Sequence, residues 1–365
     1  MLKNRFRCFK IASLIILIFA LQSIKMKNIL VTGGAGYIGS HTVVQLIEKG
    51  YHPIIIDDFR NADSSVIERM QQISGQPISY FPIDICDTSL LTETLKDISI
   101  EGVIHFAAYK AVGESVAKPL KYYHNNIQGL VSVLNWSIEN NVKNFIFSSS
   151  CTVYGEPKGI KEVTEETNSQ NANSPYGETK VIGEQLLRDI QKSDCPMKLL
   201  SLRYFNPIGA HSSGIIGEWP LGKPNNLLPF ITQTALGIQD QLTVFGNDYP
   251  TSDGTCVRDY IHVMDLADAH VKGLDFLEHN SLSEVEFINL GTGNGTSVLE
   301  MIETFERISG QKLNWKFGEK RLGDVAEIFA NVTKSKEKLG WTAAFSTEDA
   351  IRDAWRWEQN IRKND

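Results

Sequence analysis

From Lys27 onward, short and continuously apolar runs alternate with longer amphipathic stretches, the rhythm of βαβ units feeding a parallel sheet. Strands are predicted at Asn28–Val31, Pro53–Asp57, Ile78–Ile83, Gly102–Phe106, Asn144–Ser148 and Leu199–Arg203. Ile54-Ile55-Ile56 has no polar alternate, which suits a strand covered on both faces. Crossover helices are predicted at Tyr37–Lys49, Leu90–Lys96, Leu120–Asn140 and Tyr176–Gln191. From about Asn206 to Asp259 the pattern breaks into Pro- and Gly-rich segments, read as the start of a smaller, loop-rich lobe. Val285–Leu290 is strand-like again, so a segment near 285–292 is expected to return to the sheet before a closing helical section. The expectation is an α/β fold with a doubly wound parallel sheet in residues 26–205 and a smaller α/β lobe in 206–365.

Composition narrows the classes. The 365 residues are 42% hydrophobic and 22% charged, ordinary for a globular chain. A net charge of −7 argues against nonspecific nucleic-acid binding, so no nucleic-acid partner is expected. The five scattered cysteines form no CxxC pair and read as thiols of a reducing compartment, the cytoplasm. Residues 1–25 stand apart, with five basic and no acidic groups around an apolar run, Ile11–Leu21. That run falls short of the roughly 20 residues of a membrane-spanning helix, so no integral span is expected. Two readings stay open: a start assigned ahead of Met26, or a targeting segment. Without the segment the net charge is −12, so an anionic ligand would need a locally basic pocket.

Chemistry concentrates at two places. Gly33, Gly36 and Gly39 lie between the first predicted strand and helix, where side-chain-free positions let backbone approach a pyrophosphate lying on a helix N-terminus. Asp57, 18 positions past Gly39 and at the end of the second strand, suits the ribose hydroxyls of NAD; Arg60 keeps NADP open. The sheet is therefore expected to be of Rossmann type. Further on, Ser148-Ser149-Ser150 closes the fifth strand, and Tyr176 and Lys180 share a helix face. An adjacent ammonium favours phenolate, so Lys180 is expected to lower the Tyr176 pKa toward the working range, with Ser150 completing a proton path.

These residues carry a resemblance. VTGGAGYIGSH at 31–41, HFAAYKAVGESV at 105–116, NFIFSSSCTVYG at 144–155, SPYGETK at 174–180, LRYFNPIGAH at 202–211, NNLLPF at 225–230 and FGNDYPTSDGTCVRDYIHVMDLADAH at 245–270 follow in order. On these blocks, running from Met26 to about Trp357, the chain resembles the extended short-chain dehydrogenase/reductase family, and within it the UDP-sugar 4-epimerases. The resemblance implies interconversion of UDP-glucose and UDP-galactose, with NAD as a bound catalyst. Tyr176 would take the proton of the sugar 4-hydroxyl, Ser150 would hold the 4-oxygen and Lys180 the nicotinamide ribose. Beyond the glycines, it implies NAD contacts from Tyr37, Ile38, Asp57, Asp84, Ile85, Phe106, Ala107, Lys110, Asn125, Ser148 and Tyr204. Substrate would be held by Asn206, Asn226, Leu227, Phe245, Arg258, Arg321 and Asp324, the last two within RLGD, a shorter match. A homodimer is the expected assembly.

Alternatives bear on the same residues. Nucleotide-sugar 4,6-dehydratases place an Asp-Glu pair just after the serine strand, where this chain has Cys151-Thr152. A catalytically silent NAD-sensing module would have no need of Ser150, Tyr176 and Lys180. At Ile328 the family places a residue whose size gates the hexose pocket; isoleucine is intermediate and leaves N-acetylated UDP-sugars open. His262, Asp265, Asp268 and His270 do not have HExxH spacing, and no metal is expected.

Overall fold

Seven strands make one parallel sheet: β1 (Asn28–Thr32), β2 (His52–Ile56), β3 (Ser79–Phe81), β4 (Gly102–His105), β5 (Asn144–Ser150), β6 (Lys198–Tyr204) and β7 (Glu286–Leu290). In this computed structural model, which describes residues 26–157, 159–169, 172–321 and 324–363, the order across the sheet is β7-β6-β5-β4-β1-β2-β3. The segment 1–25, with both readings proposed for it, lies outside the described residues. Strand order reverses between β1 and β4, and crevices of this kind take ligands at the carboxyl ends of the strands. Thr32 pairs with Ile56 on one side and His105 on the other, so the glycine turn leaves the sheet level with both neighbours.

The apolar runs bury on both faces, as their lack of alternation requires. Val31, Ile55 and Ile104 pack under Val43, Val44 and Leu46 of helix α1 (Tyr37–Glu48), while Leu30, Ile54 and Val103 face Val133, Leu134 and Trp136 on the other side. Helix α2 (Pro175–Lys192) begins where its sequence dictates: the Ser174 hydroxyl accepts from the Gly177 amide at 3.2 Å, and Pro175 occupies the first turn. Tyr176 is thereby fixed beside the end of β5. The predicted helix Leu120–Asn140 is interrupted. Pro119–Tyr123 and Gly129–Glu139 are α-helical, and His124–Gln128 is a π-turn between them.

Past 206 the chain interleaves with the sheet more deeply than its pattern suggests. Helix α3 (Leu227–Ala235) belongs to the second lobe, in a cluster with Leu242, Val244, Met301, Phe305 and Ile351. Helix α4 (Val263–His279) instead packs Leu266, Leu274 and Leu277 into the sheet's own core, and Leu339 and Trp341 join them. It is the covering helix between β6 and β7, as a parallel crossover demands. Residues past 206 therefore contribute both to the sheet's core and to a core of their own. Helix α5 (Thr347–Ile361) closes the second lobe with a Ser346 capping box. Among the described residues, no helix is long and apolar enough to cross a membrane.

Candidate active site

Backbone builds the first half of the site. Gly33 has φ +72°, and a Cβ there would lie 2.6 Å from the Ala107 nitrogen; at Gly39 it would lie 2.2 Å from the Gly33 oxygen. The turn admits no side chain at either position, leaving a bare cradle at the start of α1. Beside it the Asp57 carboxylate accepts from the Ala35 and Phe59 amides, both at 3.0 Å, and burial raises its pKa. Arg60 is spoken for by acids, pairing with Asp58 at 2.5 Å and with Asp84, and it reaches Asn125 Oδ1 at 3.4 Å. With its charge so engaged and Asp57 adjacent, the pocket suits the free ribose hydroxyls of NAD over a 2′-phosphate.

At the end of β5, the Ser150 hydroxyl accepts from the Thr152 amide at 3.2 Å, near the buried Tyr176 phenol. Lys180, one turn along α2, is buried; its Nζ donates to the Ser148 carbonyl at 2.7 Å and lies 5.9 Å from the centre of the Tyr176 ring. Its two remaining protons are free for a ligand. The Ser148 hydroxyl is shared with the Tyr204 phenol. Instead of the expected lowering, burial raises the Tyr176 pKa, against a weaker pull from Ser150. It takes Lys180 down to about 7, so near neutrality the lysine is only part-charged and desolvation governs both groups.

The second lobe supplies side chains from separated segments. Arg321 stacks on the Phe245 ring, its guanidinium carbon 3.8 Å from the ring centre. Arg258 donates to the Val257 carbonyl at 2.9 Å and pairs loosely with Asp324 at 4.0 Å. The Asn206 amide donates to the Asp259 carbonyl at 3.0 Å, while the buried Asp259 carboxylate gathers the Thr292, Gly293 and Ala330 amides. Local sequence gave no sign of that hub, which holds the strand carrying Arg258. Ile328 lies opposite Arg258 in register, buried with Val153, Tyr154 and Phe205.

Several expected ligands also make contacts within the fold. Ile85 packs against Gly129, Ile38 against the sheet core and Leu227 against the second-lobe core. Phe106 rests on His270, their ring centres 4.7 Å apart, and the Tyr37 hydroxyl donates to the Gly209 carbonyl at 2.7 Å. Lys110 and Asn226 meet on Glu218, a residue the motifs did not single out. Asp265 receives the Ala344 and Phe345 amides and so serves as a loop clamp at the start of α4.

A glycine cradle after β1, Ser150 at the end of β5, and Tyr176 and Lys180 on α2 are the parts that a short-chain dehydrogenase/reductase uses with NAD. A family model described as GDP-mannose 4,6 dehydratase matches residues 30–354. The chain is 48% identical to UDP-glucose 4-epimerase 2 of Arabidopsis thaliana over 337 residues, covering 92% of this chain and 95% of the relative. It is also 48% identical to UDP-glucose 4-epimerase of Bacillus subtilis over 332 residues, 91% and 97% of the two chains. Two solved structures superpose at a TM-score of 0.89. One is UDP-glucose-4-epimerase from Stenotrophomonas maltophila with bound NAD and formylated UDP-arabinopyranose, 44% identical over 93% of this chain and 100% of that one. The other is UDP-glucose 4-epimerase from Bifidobacterium longum in complex with NAD+ and UDP, 42% identical over the same shares. The chain belongs to the UDP-glucose 4-epimerase family, within the extended short-chain dehydrogenases/reductases.

Proposed function

We propose that this chain interconverts UDP-galactose and UDP-glucose by oxidising the sugar at C4, turning the 4-keto sugar over and reducing its opposite face. The Ser150–Tyr176–Lys180 set carries the reading, because Ser150 ends a strand of the same parallel sheet whose first strand runs into the glycine cradle, and Lys180 reaches back to Ser148 on that strand. The residues fit NAD: a bare backbone cradle, a carboxylate for ribose hydroxyls, and a buried lysine amine. Bound NAD supplies the hydride acceptor for C4 and returns the hydride.

The protein's own part is binding and proton traffic. Tyr176 Oη removes the 4-hydroxyl proton and gives it back, while Ser150 Oγ holds the 4-oxygen in both halves of the cycle. Burial raises the Tyr176 pKa, and positive charge beside the phenol favours its ionisation. Arg258 and Arg321 grip the diphosphate, so the nucleotide stays anchored while the sugar turns about its phosphate link. A dehydratase would need acids after Ser150, where Cys151 and Thr152 stand. UDP-glucose and UDP-galactose are the assigned substrates; Ile328, buried opposite Arg258, is intermediate in size and does not decide between plain and N-acetylated sugars.

The assembly is a homodimer. Val112, Val116 and Leu120 stand exposed along one helical stretch, Leu120 at 80%, an apolar surface suited to a second copy. The four described cysteines are free, as suits a cytoplasmic protein. A coupled assay on protein starting at Met26 tests the function. UDP-galactose should convert to UDP-glucose with NAD supplied and no external reductant, and Tyr176→Phe should cut turnover by about 10²–10⁴-fold while retaining NAD. Absence of conversion rejects the epimerase reading; near-normal turnover in the variant removes Tyr176 from the proton path.

A further inference from the structure

Glu218 lies in the loop ahead of α3, with no role in the proton path. Its carboxylate is nearly enclosed, the side chain 11% exposed, and Oε1 accepts from two donors: Lys110 Nζ at 2.9 Å and Asn226 Nδ2 at 2.6 Å. Lys110 follows β4 on the sheet side, and Asn226 precedes α3 in the second lobe. One oxygen therefore joins a group assigned to the cofactor with a group assigned to the substrate.

The backbone beneath Glu218 is firmly held. Its carbonyl accepts from Trp357 Nε1 at 3.0 Å, and Gly217 lies so close under that indole that a Cβ would sit 2.4 Å from the ring. A bridge between Ala210 and Gly217 closes the loop. The carboxylate thus projects from a fixed support, whereas Lys110 is 45% exposed and has a long flexible stem. A negative charge beside two diphosphates costs binding energy unless it is compensated, and holding both donors in place is the compensation this geometry offers.

We propose that Glu218 is a positioning residue that holds Lys110 toward the cofactor and Asn226 toward the UDP-sugar across the cleft. The proposal rests on the epimerase reading above. The two arms separate by chemistry: a glutamine keeps a carbonyl acceptor for Asn226 but loses the charge that holds Lys110, and an alanine loses both.

The test is equilibrium binding, by titration calorimetry, of NAD and then of UDP to NAD-saturated protein. Glu218→Gln should weaken NAD by about tenfold and leave UDP within about twofold, while Glu218→Ala should weaken both by about tenfold, as expected for a lost hydrogen bond to a charged group. Adding Glu218→Gln to Lys110→Met should cost NAD nothing further. Unchanged or tighter NAD binding in Glu218→Gln, equal losses of both ligands in that variant, or additive losses in the double variant each overturn the proposal. A wild-type protein that binds neither ligand overturns the functional reading and this proposal with it; a wild type that binds both leaves the Glu218 outcomes to decide the proposal alone.

Discussion

On the sheet side of the cleft, the groups assigned to the cofactor sit on backbone with no freedom to change: Gly33 lies against Ala107, Gly39 against Gly33, and Asp57 is clamped by two amides. Across from them, Phe245, Arg258, Arg321 and Asp324 come from separate strands and loops and meet through a ring stack and a 4.0 Å ion pair. The first arrangement suits a molecule that stays through many turnovers. The second suits one that must enter, turn over and leave, and it can vary in detail without disturbing the sheet.

That contrast can be broken most sharply at Gly39. A methyl group there meets a backbone oxygen that cannot move, so Gly39→Ala should cost about 3 kcal/mol of stability and abolish co-purification of NAD. Gly113→Ala, where a Cβ meets nothing within 4 Å, is the control and should change neither. Chemical denaturation and the NAD content of the purified protein read both effects; retention of NAD by Gly39→Ala would show that the cradle is softer than its contacts indicate.

A loss confined to the other side comes next. Arg258→Ala should raise the UDP-sugar KM by about tenfold to a hundredfold, the weight of charge-assisted hydrogen bonds, with NAD content unchanged. Steady-state kinetics beside cofactor quantification would detect it, and a parallel fall in NAD content would dissolve the distinction between the two sides.

The smallest effect concerns acid stability. His41, His105 and His270 are buried on the sheet side, and burial lowers their pKa values from 6.5 to about 3, 3 and 4. Below pH 6.5 the unfolded chain takes up protons that the folded one refuses, so these histidines make stability fall as pH drops. Asp259, Asp265 and Glu358, with pKa values raised by burial, pull the opposite way at the acid end. Replacing His270 with Gln should flatten the dependence of unfolding free energy on pH between 6.5 and 4.5 by up to about 1.4 kcal/mol per pH unit. An unaltered slope would place the acid sensitivity elsewhere.

How far each feature could be read in the chain follows from its range. The glycine turn, Asp57 and the Tyr176/Lys180 pair are short-range patterns, and the strands holding them were legible as apolar runs within a residue or two of their ends. Glu218 and the Asp259 hub were not, because their partners lie 108 and 71 positions away for Lys110 and Ala330. Helix α3 was hidden by the Pro- and Gly-rich stretch around it. Helix α4 was read with the second lobe because its placement on the sheet depends on a crossover that closes only at β7. The pKa expectation for Tyr176 failed for a related reason: spacing predicts a neighbouring ammonium but not the desolvation that outweighs it.

In the proposed cycle one hydride leaves C4 and returns to the same carbon without exchange with water. Mass spectrometry and proton NMR of UDP-glucose formed from UDP-galactose carrying deuterium at C4 measure this directly. The deuterium should remain at C4 of the product through complete conversion in ordinary water. Replacement of that deuterium by solvent hydrogen, or its appearance at another carbon, would contradict the cycle.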